Sequence, residues 1–334
     1  MGERAKRMTD EPLQHPTSVA LSATVPYTEW FATHTWQRPV WTPEELLRHK
    51  GNRTVSVVLP ALDEQETVAG VVAAVTPWCG SLVDELVVLD SGSTDETAAR
   101  AAQAGARVVR REEVLGELEP LPGKGEALWR SLAATSGDFV VFLDADLVDP
   151  DPAFVPALLG PLFTDDQVHL VKGFYRRPLR LETHEEDTGG GRVTELLARP
   201  VLHALRPELA GIVQPLGGEY ALRRDFAEAV PFAVGYGVEI GLLLDAHSRY
   251  GLSGIAQVNL GVRKHRHRTL LQLGVTARQI LGTALARVGH GVDPVSFPQF
   301  VQLGGEWQAE HTEIELAERP PMASLRADMP RSTP

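Results

Sequence analysis

The 334-residue chain holds a single cysteine, Cys79. One thiol forms no intramolecular disulfide, which fits a reducing cytoplasm, and Cys79 reads as a small packing residue. No run of 18 apolar residues occurs, so no transmembrane helix is expected. Residues 1–15 are polar and charged, with no apolar core before a cleavage site, so no signal peptide is expected either. Positive charge is in the minority: 32 Lys and Arg stand against 44 Asp and Glu, a formal net charge of −12. That balance argues against general nucleic-acid or anionic-membrane binding, though not against a local basic pocket. Two phosphate-binding signatures are missing as well. Gly123-Lys124-Gly125 is not a Walker motif, and Gly189-Gly190-Gly191-Arg192 follows no strand of the βαβ unit that a dinucleotide fingerprint requires. Internal repeats are absent. What these absences leave is a soluble cytoplasmic globular protein.

The strongest positive signal is Phe139-Val140-Val141-Phe142-Leu143-Asp144-Ala145-Asp146-Leu147. A continuous apolar run indicates a strand buried on both faces, as in a parallel sheet. Asp144 and Asp146 fall at its C-terminal end, where open α/β sheets place ligands. Two carboxylates this close repel if both are ionised, and a divalent cation removes that penalty. Oxygen ligands favour Mg²⁺ or Mn²⁺, commonly shared with substrate phosphates. A solvated turn after a strand is the plainer alternative.

Residues 1–25 are polar with scattered prolines and read as a disordered extension. Trp30, Trp36 and Trp41 read as packing anchors. A short helix is expected over Pro43–His49, with Thr42 as its cap and Pro43 at the first helical position. From about Arg53 the pattern alternates. Strands are expected at Val55–Pro60, Glu85–Asp90, Ala106–Val109 and 139–143. Helices are expected at Thr67–Val75, Glu96–Ala104 and Glu126–Thr135. This order implies a parallel sheet with right-handed crossovers. His169–Tyr175 reads as the neighbour of strand 139–143. Residues 176–192 read as a flexible loop by composition. Helical spacing over Val193–Leu205 implies a kink at Pro200. Ile212–Pro215 and Glu219–Ala221 read as strand pieces. Val238–Tyr250 reads as a helix, Ile255–Arg263 as a strand and Thr269–Val288 as a long amphipathic helix. Beyond about 303 the chain reads as a polar, Pro-rich tail.

Four polar features fall where strands of the first half end: Pro60-Ala61-Leu62-Asp63-Glu64, Asp90-Ser91-Gly92-Ser93-Thr94-Asp95, Gly123-Lys124-Gly125, and Asp144-Ala145-Asp146. A doubly wound sheet gathers such ends at one edge. Carboxylates and hydroxyls there suit a base and ribose, and Lys124 suits a phosphate as a point charge. Singly each feature can be a turn or a solvated cation; in this order they point jointly to a nucleotide. A second cluster, Arg263-Lys264-His265-Arg266-His267-Arg268, is conspicuous in an acidic chain. One of its imidazoles could complete a metal site begun by the aspartates. Its arginines, with Arg192, suit an anionic acceptor; a solvated charged run is the bland reading. Glu239 enters an apolar helix, either facing a polar pocket or complementing the helix dipole.

These blocks carry a family resemblance. Val57–Glu64, Leu89–Asp95 and Phe142–Asp146 resemble the nucleotide-sugar domain of GT-A glycosyltransferases, and Asp144-Ala145-Asp146 matches their metal-binding Asp-x-Asp motif. Four longer segments resemble the actinobacterial glucosyl-3-phosphoglycerate synthases: Pro122–Leu132, Gly189–Glu195, Gly235–Gly241 and Gln257–Arg263. The likeness spans roughly residues 36–300. The chain departs from the broader GT-A pattern at Asp90-Ser91, where two acids are common, and from the family at His267, where other members carry Asn.

The resemblance implies an α/β GT-A fold, with a nucleotide-sugar half over 26–175, an acceptor half over 176–302 and a tail over 303–334. It implies retaining transfer of glucose from UDP-glucose to the 2-hydroxyl of 3-phosphoglycerate, by a homodimer that serves methylglucose lipopolysaccharide biosynthesis. Pro60, Ala61, Leu62, Glu64 and Ser91 would hold uridine. Lys124 would touch the diphosphate and Asp144 the ribose side, with Ala145 and Arg263 also on the donor. Asp146 and His265 would bind Mg²⁺ or Mn²⁺. Tyr236 and Glu239 would position glucose. Gly191, Arg192, Val193 and Thr194 would hold phosphoglycerate, with His267 and Arg268 nearby. Lys124, Asp144 and Glu239 are thus the candidate catalytic groups. The competing readings are a mannosyl-3-phosphoglycerate synthase using GDP-mannose, a nucleotidyltransferase, a lipid-phosphate glycosyltransferase, and a non-catalytic nucleotide-sugar-binding protein.

Overall fold

The computed structural model describes residues 27–176, 179–180, 185–186, 191–263, 269–293 and 296–328. Eight strands form its main sheet: β1 (Thr35–Trp36), β2 (Val55–Ala61), β3 (Glu85–Asp90), β4 (Arg107–Arg110), β5 (Phe139–Phe142), β6 (Leu170–Arg176), β7 (Tyr220–Arg223) and β8 (Ile255–Val262). The spatial order is β1-β8-β6-β7-β5-β2-β3-β4. Every neighbouring pair is parallel except those made by β7, which runs antiparallel to both β5 and β6. Because β7 alone is reversed, the C-terminal ends of the other seven strands and the N-terminal end of β7 lie along one edge. That edge is where open α/β sheets bind ligands.

The central strands are buried on both faces, as the apolar runs imply. Val55, Val57 and Leu59 of β2 and Phe139 and Val141 of β5 pack into one apolar layer, with the helices Val68–Val75 and Phe154–Thr164. Val58, Val140 and Phe142 pack into the other, with the helices Lys124–Ala134 and Val238–Tyr250. The alternation follows from the two-residue period of a strand. Trp30 is buried, while Trp36 and Trp41 pack against the core with their rings 5.5 Å apart.

Local signals placed most helices to within two residues. Thr42 and Glu45 form a reciprocal capping box for Pro43–Lys50, and Thr269 and Gln272 do so for Leu270–Arg287. The helix expected from Glu126 begins earlier, at Lys124, so Lys124 is its first residue and not part of a loop. Four helices carry no expectation from the sequence: Thr28–His34, Phe154–Thr164, Arg224–Ala229 and Met322–Asp328. Phe154–Thr164 carries Pro161 in its interior and is buried on nearly every residue, which hides the amphipathic period. Before Pro200, residues Thr194–Ala198 form a π-helical turn, a wider winding where a kink was expected.

Three other expectations are corrected. Strand β6 does not neighbour β5, because β7 inserts between them and pairs with both. Ile212–Pro215 is not a strand; it belongs to a loop pinned from the sheet by side chains. Cys79 is exposed and not a packing residue.

The division expected at residue 176 falls inside one sheet, since β7 and β8 share it with β1–β6. Residues 303–328, which read as a tail, include ordered parts. Phe297–Leu303 and Glu306–Thr312 form an antiparallel hairpin. Glu318–Arg319 pairs with Phe232–Ala233, and Met322 is buried. Of residues 176–192, Leu179–Arg180 and Glu185–Glu186 form a second short antiparallel pair. The extension 1–25 lies outside the described residues.

Candidate active site

The loop after β2 forms one wall of a cleft, and its backbone is braced from the loop after β3. Asp63 has a φ of 54°, a left-handed conformation that Asp tolerates. Its Oδ1 accepts hydrogen bonds from the Thr94 amide and hydroxyl, while its own amide donates to Ser93 Oγ. The Glu64 amide donates to Thr97 Oγ1 and the Gln65 amide to Asp95 Oδ2. The Asp90–Asp95 stretch is therefore mainly a brace, and Ser91 is its residue that reaches the cleft.

The cleft encloses about 520 Å³. Pro60, Ala61, Leu62, Glu64, Ser91, Lys124, Asp144, Ala145, Asp146 and Tyr236 all line it. Two further residues from the donor set, Glu239 and Arg263, hold the groups on its floor. Lys124 Nζ lies 2.5 Å from Asp144 Oδ1 and 2.6 Å from Glu239 Oε1. Arg263 Nη2 donates to Asp144 Oδ2 at 2.5 Å and to Asp146 Oδ1 at 3.0 Å, while its Nε lies 2.9 Å from Glu219 Oε1. Glu219 is fully buried and Glu239 nearly so.

The helix start at Lys124 is set by close packing. A Cβ on Gly125 would overlap the Ala233 carbonyl, and Gly123, at φ 133°, lies against Val234. The Glu126 amide donates to the Val234 carbonyl at 3.0 Å. The turn from 233 to 237 is thereby locked to the helix bearing Lys124, and Glu239 follows as the second residue of Val238–Tyr250. Both readings of Glu239 hold together: it occupies a helix N-terminus, where the dipole favours an anion, and it faces the polar floor.

Electrostatics explain why these charges can coexist. Burial opposes the charged form of Lys124, but Asp144 and Glu239 outweigh it and hold the ammonium pKa well above its usual range. Arg263 behaves alike: burial is overcome by Glu219 and by the two aspartates. The repulsion between Asp144 and Asp146, which the sequence assigned to a metal, is relieved in part by the protein's own Arg263.

Among the described residues no group of three or more His, Cys, Asp or Glu is placed to hold a metal. Asp146 is the more exposed of the two aspartates, with 30% of its side chain accessible against 19% for Asp144. Its carboxylate faces the cleft and is a hard oxygen donor that fits Mg²⁺ or Mn²⁺. His265, His267 and Arg268 lie outside the described residues. Gly191, Arg192, Val193 and Thr194 are described. They lead into the π-helical turn, with Thr194 buried and Arg192 half-buried, and are not among the residues lining the cleft.

Sequence reasoning missed Arg111, which lines the cleft from the turn after β4, and Glu219 and Lys172 beneath its floor. A lone acid after two glycines carries no mark of a partner 44 positions on. A lone lysine inside an apolar strand does signal something: Lys172, on the face it shares with Leu170 and Phe174, is such a break in pattern.

A family model described as Glycosyl transferase family 2 matches residues 56–188. The chain is 59% identical over 297 residues to a glucosyl-3-phosphoglycerate synthase of Mycolicibacterium smegmatis, covering 89% of this chain and 98% of that one. It is 55% identical over 299 residues to the synthase of Mycobacterium tuberculosis, covering 87% and 92%. Crystal structures of the M. tuberculosis synthase superpose on it. One, in complex with Mn²⁺, UDP and phosphoglyceric acid, has a TM-score of 0.82 at 54% identity, covering 87% of this chain and 98% of that one. Another, with Mn²⁺, UDP-glucose and phosphoglyceric acid, has a TM-score of 0.81 at 54% identity with the same coverage.

Proposed function

The chain belongs to the glucosyl-3-phosphoglycerate synthase family of GT-A glycosyltransferases, and from that premise we propose that it moves glucose from UDP-glucose to the 2-hydroxyl of 3-phosphoglycerate, with retention at the anomeric carbon. The observation that carries this reading is the Lys124 ammonium held between Asp144 and Glu239 at the floor of the cleft. A leaving nucleoside diphosphate needs positive charge where its own negative charge grows, and Lys124 stands at the junction of the two aspartates and the residues nominated for the sugar.

Pro60, Ala61, Leu62, Glu64 and Ser91 form the uridine side of the cleft, and Asp144 and Ala145 the ribose side. Lys124 serves the diphosphate. Asp146, with His265, would hold Mg²⁺ or Mn²⁺, which when bound supplies a counter-charge to the departing diphosphate. Tyr236 and Glu239 orient the glucose. As the bond from C1 to the phosphate oxygen breaks, a bond from C1 to the acceptor oxygen forms on the same face, and the acceptor proton passes to the departing phosphate. Glu239 is a positioning group in this scheme: its carboxylate is already committed to Lys124 at 2.6 Å. Gly191, Arg192, Val193 and Thr194, with His267 and Arg268, form the acceptor side, where Arg192 supplies bidentate recognition of carboxylate or phosphate.

The active form is a cytoplasmic homodimer that feeds methylglucose lipopolysaccharide assembly. The hairpin Phe297–Leu303/Glu306–Thr312 supports the dimer, because Phe300, Leu303 and Trp307 are 62%, 54% and 70% exposed on it. No helix among the described residues is long and apolar enough to cross a membrane. The test is to incubate the protein with UDP-glucose, 3-phosphoglycerate and Mg²⁺ or Mn²⁺, and to follow UDP release and the product by NMR. An α-linked glucosyl-3-phosphoglycerate is expected. UDP release that does not depend on 3-phosphoglycerate, or a β-linked product, would overturn the reading.

A further inference from the structure

Lys172 sits on β6, in the middle of the sheet, at a position 1% exposed. Its register partners are Tyr220 on β7 and Gln257 on β8. It shares a face with Leu170, so its side chain runs along the layer that contains Phe142 and Tyr220. The ammonium donates to the Gly217 carbonyl at 2.6 Å and stands 4.4 Å from the centroid of the Tyr220 ring. It makes no other hydrogen bond and no ion pair within 4 Å among the described residues.

That arrangement is expensive for what it holds. A single bond to a carbonyl needs only a neutral donor, and burying an ammonium without a contacting carboxylate is costly. The same loop has such a neutral donor: Gln257 Nε2 donates to the Gly211 carbonyl at 3.0 Å, and its Oε1 accepts from the Val213 amide at 2.9 Å. Gln257 and Lys172 thus pin the two ends of loop 211–217 to the sheet. Beyond the Lys172 end, a Cβ on Gly218 would collide with the Asp144 carboxylate, so the loop is the surface on which Asp144 rests. Glu219, next in sequence, holds Arg263.

The charge has a use in the floor's balance. Four carboxylates, Asp144, Asp146, Glu219 and Glu239, gather there, and among the described residues Lys124 and Arg263 form ion pairs with them, Lys124 with Asp144 and Glu239 and Arg263 with Asp144, Asp146 and Glu219. A donor diphosphate adds more negative charge. We propose that Lys172 is a positioning residue for glucosyl transfer: its buried ammonium pins the Gly217–Gly218 turn under Asp144 and supplies positive charge beneath the donor. This rests on the function proposed above. Lys172 acts through Asp144, Glu239 and the turn, and has no place in the cleft lining itself.

The charge is removable within a workable range. Burial lowers the Lys172 pKa to about 8, against the opposing pull of Glu239 on its neighbouring helix, Glu219 before β7 and Asp144 after β5. Lys124 lowers it further. Tyr220, on the adjoining strand, stays neutral because burial and Glu239 push its pKa well up. A bound diphosphate raises the value in the complex, so the loss of charge falls at or above pH 8.

The experiment compares wild type with Lys172→Met and Lys172→Gln in steady-state transfer from pH 7 to 10, with folding of each checked by thermal melting. Wild-type turnover tests the function, and the ratio of variant to wild type tests Lys172. Lys172→Gln keeps a donor for the Gly217 carbonyl without the charge. Both variants should lose about tenfold or more in kcat, with KM for UDP-glucose changing less than threefold, and both should lack the alkaline limb that wild-type kcat shows above pH 8. A folded variant with wild-type kcat, a variant that keeps the limb, or a wild-type kcat flat from pH 7 to 10 would each overturn the proposal. If neither variant folds, the wild-type profile still decides it: a limb supports the charge and a flat profile removes it.

Discussion

Lys124 Nζ lies 2.6 Å from Glu239 Oε1, an ion pair between residues 115 positions apart that joins two helix starts at the cleft floor. The lysine opens one helix and the glutamate is the second residue of another, and the turn 233–237 fixes the first against the second. Removing the ammonium takes the contacting cation from Glu239, leaves Asp144 to Arg263, and takes positive charge from the leaving group. Lys124→Met should lower kcat by about 10²–10³-fold, the range seen when a charge-stabilising donor is removed. Single-turnover UDP release measures it. A loss confined to KM would place Lys124 in uniform donor binding instead.

Arg263 ties Asp144, Asp146 and Glu219 together. Breaking a buried pair by deleting one partner costs about 3–5 kcal/mol. Arg263→Met should therefore destabilise the metal-free protein strongly. On the proposed function Mn²⁺ held with UDP at Asp146 would supply counter-charge there, so the loss in melting temperature should be smaller in their presence. Equal losses with and without Mn²⁺ and UDP would separate Arg263 from the metal–diphosphate site.

Arg319 belongs to the segment that looked like a tail, yet it closes a buried network. It donates to Glu126 Oε2 at 2.7 Å and Oε1 at 2.9 Å, while Arg130 Nε donates to Oε1 at 2.7 Å. Burial works against the Glu126 carboxylate, and the two arginines nonetheless hold its pKa below the usual range. Arg319→Ala leaves Glu126 with Arg130 and the Leu121 amide and should cost about 2–3 kcal/mol by urea unfolding. A change under about 0.5 kcal/mol would make the segment a passive covering.

Arg192 is not among the residues lining the donor cleft and lies at the start of the helical stretch 192–205. Arg192→Ala should raise KM for 3-phosphoglycerate by about tenfold or more while leaving KM for UDP-glucose within threefold, because a charged hydrogen-bonding partner is worth about 1.5–3 kcal/mol. Steady-state kinetics with each substrate varied in turn would check it. Equal loss for both substrates would take Arg192 out of the acceptor side.

Stability should carry its own pH signature. Lys172 titrates near 8 when folded, below its ordinary 10.5. Between those values the unfolded chain binds the extra proton, so this group makes the protein more stable as pH rises from 8 to 10.5. Below pH 8 both states are charged and the full cost of burial applies. The difference in unfolding free energy, wild type minus Lys172→Met, should rise by about 3 kcal/mol across that window. Lys124 has the opposite sign: its pKa is raised, so its contribution is complete below 10.5 and is lost only above that. Urea unfolding at pH 7.5, 9 and 10.5 reads the difference, and a pH-independent one would mean that Lys172 is not buried charged.

Much of the donor side was legible because it is local. An apolar run ending in Asp144-Ala145-Asp146, a capping Thr before Pro43, and the helical periods of 238–250 and 270–287 each state their structure within one turn or one strand. Once a parallel order is inferred, the strand ends must share an edge, and the cleft lined by Pro60, Ser91, Lys124 and Asp146 follows from that rule. Asp144 and Asp146 need a counter-charge on local grounds, and the protein supplies part of it from Arg263, 117 residues beyond Asp146.

What the sequence could not decide is long-range pairing. Strand β7 is four residues long and inserts between β5 and β6, which no local pattern announces. Its reversal brings Glu219 to the ligand edge and sets Gly218 against Asp144. Lys172 shows as a charged break in an apolar strand, but only the sheet supplies its company: the Gly217 carbonyl, the Tyr220 ring and the nearby acids. The polar segment around Arg319 looks like a tail because its burial depends on a partner, Glu126, that lies 193 residues away. Local periodicity fixes which residues turn inward, while the energy of a buried charge depends on which other charges the fold brings beside it.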